Sequence, residues 1–268
     1  MTAEVSDSME IGSCAGQVVG ETLEDKMNAL HALGYDFIEP AWREEDVPKL
    51  GAAYGQELKA LGERTGCPVL SAIYGLFSDL GKRLKTPGSR ALELDTIGRA
   101  CETLAAAGGD VLLLPNWAGQ QELDYDALYT AFLQEAGDQA VRLGVKLGIE
   151  HIPASKYRNT AAQVFELAEL VNRPNVGVYF DIANGIYIGD DPLESARKVA
   201  PRVVQYHVKG YRAERPLEAM PLKEVKAVIE AAGFRGRVAT EIGPSEEPGK
   251  QTNAHLAAAI ATLRQNGF

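Results

Sequence analysis

Short apolar, β-branched runs alternate with longer segments whose apolar residues return every three or four positions. This alternation continues from one end of the 268-residue chain to the other. The first pattern is that of a buried strand, the second that of an amphipathic helix. Strands are expected near 9–13, 35–39, 68–73, 110–115, 145–150, 176–181, 203–208 and 237–242. Helices are expected near 22–33, 46–65, 89–107, 124–143, 160–171, 191–199, 221–232 and 249–266. Gly34, Gly66, Gly108, Gly144 and Gly233 stand where helices should end on a left-handed residue. Strands joined by helical crossovers run parallel, and eight such units close most naturally into an α/β fold, the (β/α)8 TIM barrel. A doubly wound open sheet is the rival with the same alternation. Only segment 74–90, with Gly75, Gly81, Pro87 and Gly88, departs from the pattern and reads as an extended loop.

One domain over residues 1–268 is expected, because barrels of this size form a single core and no linker or low-complexity tract divides the chain. A formal charge of −10 repels phosphodiester backbones and anionic lipid, so a small molecule is the expected partner, with no nucleic acid and no membrane. The first residues, MTAEVSDSMEIGSC, carry acids where a secretory leader would carry bases, and no run is long enough to span a bilayer. Cys14, Cys67 and Cys101 are odd in number and widely spaced, which points to free thiols and a cytoplasmic location. A homo-oligomer stays open.

In a barrel, functional residues sit at the C-terminal ends of strands. The four last expected strands read VKLGIE, VGVYFD, VVQYH and RVATE, ending in Glu150, Asp181, His207 and Glu241. These residues lie 26 to 34 positions apart, about one strand-helix unit each, which brings them to neighbouring points on one rim. One strand-end acid ordinarily caps a helix or pairs with a lysine. Four polar endings in succession point to a cation, since crowded carboxylates repel one another without one. Three carboxylates and an imidazole form a hard, oxygen-rich set, favouring Mn²⁺, with Mg²⁺ or Co²⁺ as alternatives.

The segments GIEHIP, YFDIANG, YHVKG and TEIG resemble the xylose isomerase-like barrels, a group of sugar isomerases, ketose 3-epimerases, inosose dehydratases and apurinic endonucleases. The resemblance covers most of the chain and is strongest from residue 145 onward. It implies that Glu150, Asp181, His207 and Glu241 are the metal set of the epimerase and dehydratase branches. It further implies a ketose or keto sugar as substrate, Glu150 and Glu241 serving as both ligands and acid/base pair around an enediolate. With a leaving group at the β carbon, the same chemistry becomes that of a lyase or dehydratase. A non-catalytic sugar-binding barrel is a third reading. The endonuclease branch fits poorly, because it uses several histidines for three zinc ions and this acidic chain has four histidines, two of them on expected helices.

Lys209 should share the inward side with His207, and Arg212 follows it, so both are candidates to meet a substrate oxygen or a phosphate. Lys156, Arg158 and Arg215 extend that basic set. Glu39, Asn116 and Trp117, with Trp42 and Tyr74, belong to the mouth of the earlier strands and offer polar groups and aromatic faces to a sugar. Asn184 stands where ketose 3-epimerases often carry a histidine, three residues after the aspartate. It either bonds a sugar hydroxyl or makes the turn into the next helix. His151 should face away from the lumen and serve structure. Which sugar binds, and whether it is phosphorylated, stay open.

Overall fold

The computed structural model describes residues 9–117, 125–210, 216–243 and 252–268. Its strands are β1 (Ile11–Cys14), β2 (Phe37–Glu39), β3 (Ala41–Trp42), β4 (Ser71–Tyr74), β5 (Val111–Asn116), β6 (Lys146–His151), β7 (Val176–Asp181), β8 (Val203–Val208) and β9 (Val238–Thr240). All pair in parallel, in the order β2-β1-β9-β8-β7-β6-β5-β4-β3. The two ends of that order, β2 and β3, are halves of one strand interrupted at Pro40. Proline has no N–H to give a ladder and bends the chain where it sits. The interrupted strand still closes the ring: Ile38 N donates to Pro68 O at 3.0 Å, and Ile73 N donates to Pro40 O at 2.8 Å. The eight expected strands therefore form the expected barrel, one of them in two pieces.

The α-helices among the described residues are α1 (Leu23–Leu33), α2 (Ala52–Thr65), α3 (Leu80–Leu84), α4 (Ser89–Ala107), α5 (Tyr125–Ala140), α6 (Ala161–Val171), α7 (Ile182–Tyr187), α8 (Pro192–Val199), α9 (Leu222–Ala231) and α10 (Ala254–Gln265). Gly34, Gly66, Gly108, Gly144 and Gly233 all take the left-handed conformation, with φ between 71° and 95°, as their positions required. The helix expected over 46–65 is instead a 3-10 segment, Glu44–Lys49, followed by α2, because Pro48 and Gly51 interrupt it. Segment 74–90 is more ordered than its composition suggested: a 3-10 turn, Gly75–Asp79, runs into α3. The short α7 begins directly after β7, so Asp181 ends a strand and caps a helix at once, its Oδ1 accepting from Asn184 N at 2.9 Å. Of the last expected helix, residues 249–251 lie outside the described residues.

Alternate strand residues divide between two cores, as pleating requires. Leu112, Leu114, Val178 and Phe180 join the large layer shared with the helices. Val111, Leu113 and Tyr179, with Ile73 and Val204, fill the lumen. Val204 reaches that lumen because the β7–β8 register shifts there: Val178 pairs with Val203 but Tyr179 with Gln205, so one residue bulges. All three cysteines are buried and free. No described helix is long and apolar enough to cross a membrane.

The bulge depends on Gly177. A Cβ there would come within 2.2 Å of Arg202 O and 2.8 Å of the Val204 side chain, and the nearer of these is rigid backbone. Gly177→Ala should therefore destabilise the fold by about 2–3 kcal/mol or more. Gly16→Ala, where nothing lies within 4 Å, should change stability by less than about 1 kcal/mol. Urea denaturation of both variants compares them, and equal midpoints would contradict this reading of the bulge.

Candidate metal centre

Glu150 occupies the fifth position of β6, Asp181 the last of β7, and His207 the fifth of β8, where it pairs with Asp181. Glu241 follows β9 directly, its N–H donating to Val208 O at 3.1 Å. One ligand atom from each of the four lies within 4.8 Å of the others. Asp181 and His207 are fully enclosed, whereas the Glu241 side chain is 31% exposed and faces the opening. His207 Nδ1 stands 3.7 Å from Glu150 Oε1 and 3.6 Å from Glu241 Oε2, with no hydrogen-bond partner of its own.

A buried imidazole nitrogen without a partner, turned toward three carboxylates, suits a divalent cation and little else. The donor set therefore fits a metal. Positive charge is already drawn there: Lys209 Nζ lies 2.7 Å from Asp181 Oδ2 and 2.6 Å from Glu241 Oε2. Burial works against charge on Lys209, but Asp181, Glu241 and Glu150 outweigh it and hold the ammonium firmly protonated. The same contact keeps Asp181 below the usual carboxylate range although burial opposes it. Glu150 lacks such a cation. Burial first, then repulsion from Glu241 and Asp181, pushes its carboxyl up to about 7 against the favourable contact with His207.

The other face of His207 rests on Glu39. His207 Nε2 donates to Glu39 Oε1 at 2.7 Å, a contact that fixes the tautomer and leaves Nδ1 as the ligand side. Glu39 is fully buried, and burial alone would raise its carboxyl. The charge and hydrogen bond of His207, together with bonds from Ser71 and Tyr179, bring it below its ordinary value. Its Oε2 accepts from Ser71 Oγ, from Tyr179 OH at 2.9 Å and from Gln205 Nε2 at 3.2 Å. The Cys14 thiol lies 3.5 Å from Oε1. Burial pushes that thiol far up, so it stays protonated. Ser71, Tyr179, Gln205 and Cys14 were missed in the sequence. Their only signal was a polar residue at an inward position of an otherwise apolar strand.

The remaining sequence candidates are placed as follows. Asn184 is buried and donates from Nδ2 to Glu150 Oε1 at 3.2 Å and to His151 O at 3.1 Å, so it orients a ligand carboxylate. Asn116 is buried and donates to Tyr157 O at 2.9 Å and Arg158 O at 3.1 Å, tying down the loop after β6. Trp117 is 49% exposed, whereas Trp42 and Tyr74 are core residues. Arg212 and Arg215 lie outside the described residues. Arg158 is held by Asp126 at 2.8 Å and by Glu166 at 3.2 Å. His151 packs on Phe180 away from the lumen, and burial lowers its imidazole to about 4.

A parallel barrel with a potential metal site at four successive strand ends defines the class of this protein. The chain belongs to the xylose isomerase-like TIM barrel family, whose model matches residues 27–265. It is 26% identical to an inosose dehydratase of Geobacillus kaustophilus, over 64% of this chain and 67% of that protein. Among solved structures it superposes on a D-allulose 3-epimerase from Methylomonas sp., in complex with D-allulose, with a TM-score of 0.76, 19% identity and coverage of 97% of both chains. The IOLI protein with a bound zinc atom gives a TM-score of 0.75 at 18% identity, covering 96% of this chain and 98% of that one. A fusion of a xylose isomerase-like barrel with a 4-hydroxyphenylpyruvate dioxygenase gives 0.72 at 21% identity. The chain covers 42% of that longer protein and is itself covered to 96%.

Two outcomes follow from this geometry. Glu39→Gln removes the charge that orients His207 and should weaken divalent metal binding about 10- to 100-fold, measured by isothermal titration with Mn²⁺. An unchanged affinity would refute the positioning role. A ligand carboxylate must be ionised and a ligand imidazole neutral; Glu150 holds its proton up to about 7, and His207, although burial opposes its charge, is held protonated well above its ordinary range by its acidic neighbours, so affinity should rise with pH through neutrality and beyond. The slope should be about tenfold per pH unit for each released proton, and steepest below about 7, where both groups carry one. A flat profile across neutral pH would show that Glu150 does not titrate against the metal.

Proposed function

We propose that this protein is a divalent-metal-dependent sugar isomerase or epimerase that acts on a ketose or keto sugar through an enediolate. The observation that carries this reading is the convergence of Glu150, Asp181, His207 and Glu241 within 4.8 Å at the open end of the barrel. These four residues would hold the ion, Mn²⁺ first and Mg²⁺ or Co²⁺ as alternatives. When bound, a divalent cation polarises a carbonyl and disperses the negative charge of an enediolate.

The chain supplies the proton handling. Glu150 and Glu241 approach the centre from β6 and from the end of β9, both toward Nδ1 of His207. One takes the carbon-bound proton and the other returns a proton to the opposite face, which inverts the carbon. Asn184 steadies Glu150 by bonding Oε1. Glu241 is the more exposed of the pair and exchanges its proton with solvent more readily. Lys209, on the inward side beside Asp181 and Glu241, lends positive charge to a substrate oxygen. Trp117 and Arg212 complete the set of sugar contacts proposed from the sequence, whereas Asn116 is spent on the loop after β6. Buried free cysteines accord with a reducing, cytoplasmic setting.

A second reading rests on the inosose dehydratase relative. If the substrate carries a leaving group at the β carbon, the same enediolate expels it, and the protein is a lyase on a keto-inositol or 3-keto sugar.

Solvent exchange separates these readings. After chelation and reloading with Mn²⁺, a panel of ketoses and keto sugars in D₂O should show deuterium incorporation by mass spectrometry, lost with chelator and restored with metal. Glu150→Gln and Glu241→Gln should each lower the rate by about 100-fold or more. A new enone absorbance with a keto-inositol would move the assignment to the lyase. No exchange and no enone across the panel would sink both.

A further inference from the structure

A cavity of about 680 Å³ opens from the metal centre and is lined at one end by Cys14, Glu39 and Glu241. At its other end stand Arg43, directly after β3, and Lys82 and Arg83 on α3. Its volume is that of a small-molecule site, and besides the carboxylates of the metal end it is lined by three bases and by Glu44. Arg83 is committed: its guanidinium donates to Glu44 Oε2 at 2.9 and 3.0 Å, and Nε lies 3.7 Å from Glu93. Arg43 and Lys82 differ. Neither side chain has an acidic partner among the described residues, although the chain carries a net charge of −10 and most of the other described arginines are paired.

Two described basic groups nearer the later strands are already occupied. Lys209 is held by Asp181 and Glu241, and Arg158 by Asp126 and Glu166. Arg43 and Lys82, by contrast, are without an acidic partner among the described residues and line the same cavity as Glu241.

We propose that Arg43 and Lys82 form an anion subsite that receives a terminal phosphate or carboxylate of the substrate, while its keto and hydroxyl oxygens lie at the four-residue centre. This rests on the sugar reading above and narrows it to anionic sugars. An arginine fork and a lysine point charge together match a dianionic group, and the neighbouring Ser78 and Thr86 line the same end of the cavity.

The test is calorimetric binding to the Mn²⁺-loaded protein. The probes are inorganic phosphate, a ketohexose, its 6-phosphate and the corresponding keto-uronate. The 6-phosphate or the uronate should bind about tenfold or more tightly than the neutral ketose, and the tighter of the two identifies the anion. The double variant Arg43→Ala/Lys82→Ala should lose that advantage while its Mn²⁺ affinity is unchanged. Equal affinity for neutral and anionic sugars, or an advantage that survives in the double variant, overturns the proposal. Inorganic phosphate bound by the wild type and not by the variant supports the subsite even if no sugar exchanges deuterium, in which case the sugar reading alone falls. Exchange on neutral ketoses with neither phosphate binding nor an advantage of the uronate leaves that reading standing and removes the subsite.

Discussion

A carboxylate charge buried in the floor of the barrel, that of Glu39, holds the functional end of this molecule together. Burying such a charge is unfavourable unless it is met by donors. Here the donors come from β1, β4, β7 and β8: Cys14, Ser71, Tyr179, Gln205 and His207 all close on the two oxygens of a β2 residue. The network spans the lumen, so it ties the register of distant strands to the orientation of one imidazole. Removing one member of such a network leaves other buried polar groups unpaired, at a cost on the order of 3–5 kcal/mol when a charge is stranded.

Above that floor the electrostatics reverse. Glu150, Asp181 and Glu241 converge with one partly exposed ammonium, Lys209, against three carboxylates. Burial, with repulsion from the other acids, raises the Glu150 carboxyl, while Asp181 is lowered despite its burial because it touches the ammonium. A divalent cation would remove the imbalance. The site is thus prepared on one side by Glu39 setting the His207 tautomer and on the other by Asn184 fixing Glu150.

The polar floor also explains why the lumen core is small. Val111, Leu113, Tyr179, Ile73 and Val204 are its apolar members, and Val204 is added by a bulge whose room Gly177 and Gly148 supply. Most of the stabilising burial lies instead between the strands and the helices, where Leu112, Leu114, Val178 and Phe180 meet the outer layer. The barrel can therefore carry charge in its interior without emptying its principal core.

The order of strands and helices was legible in the chain itself because periodicity and glycine punctuation are local properties. β7 and β8 lie over the residues expected of them, and five helix-ending glycines adopt the conformation their positions demanded. The same locality placed Glu150, Asp181, His207 and Glu241 at neighbouring strand ends, because one βα unit separates each from the next. Pro40 was visible as a residue but not as the point where a strand is cut in two and still closes the ring. Pairings decided the rest. That Glu39 lies beneath His207, that Asn184 bonds Glu150, that Arg158 is spent on Asp126 and that Lys209 sits between Asp181 and Glu241 are contacts between residues far apart in the chain or on different elements. Hydrophobic period records which face a side chain takes, not which partner it meets across a closed barrel. Only the tertiary structure, by bringing inward faces of several strands to one axis, determined which polar residues serve the site and which serve the fold.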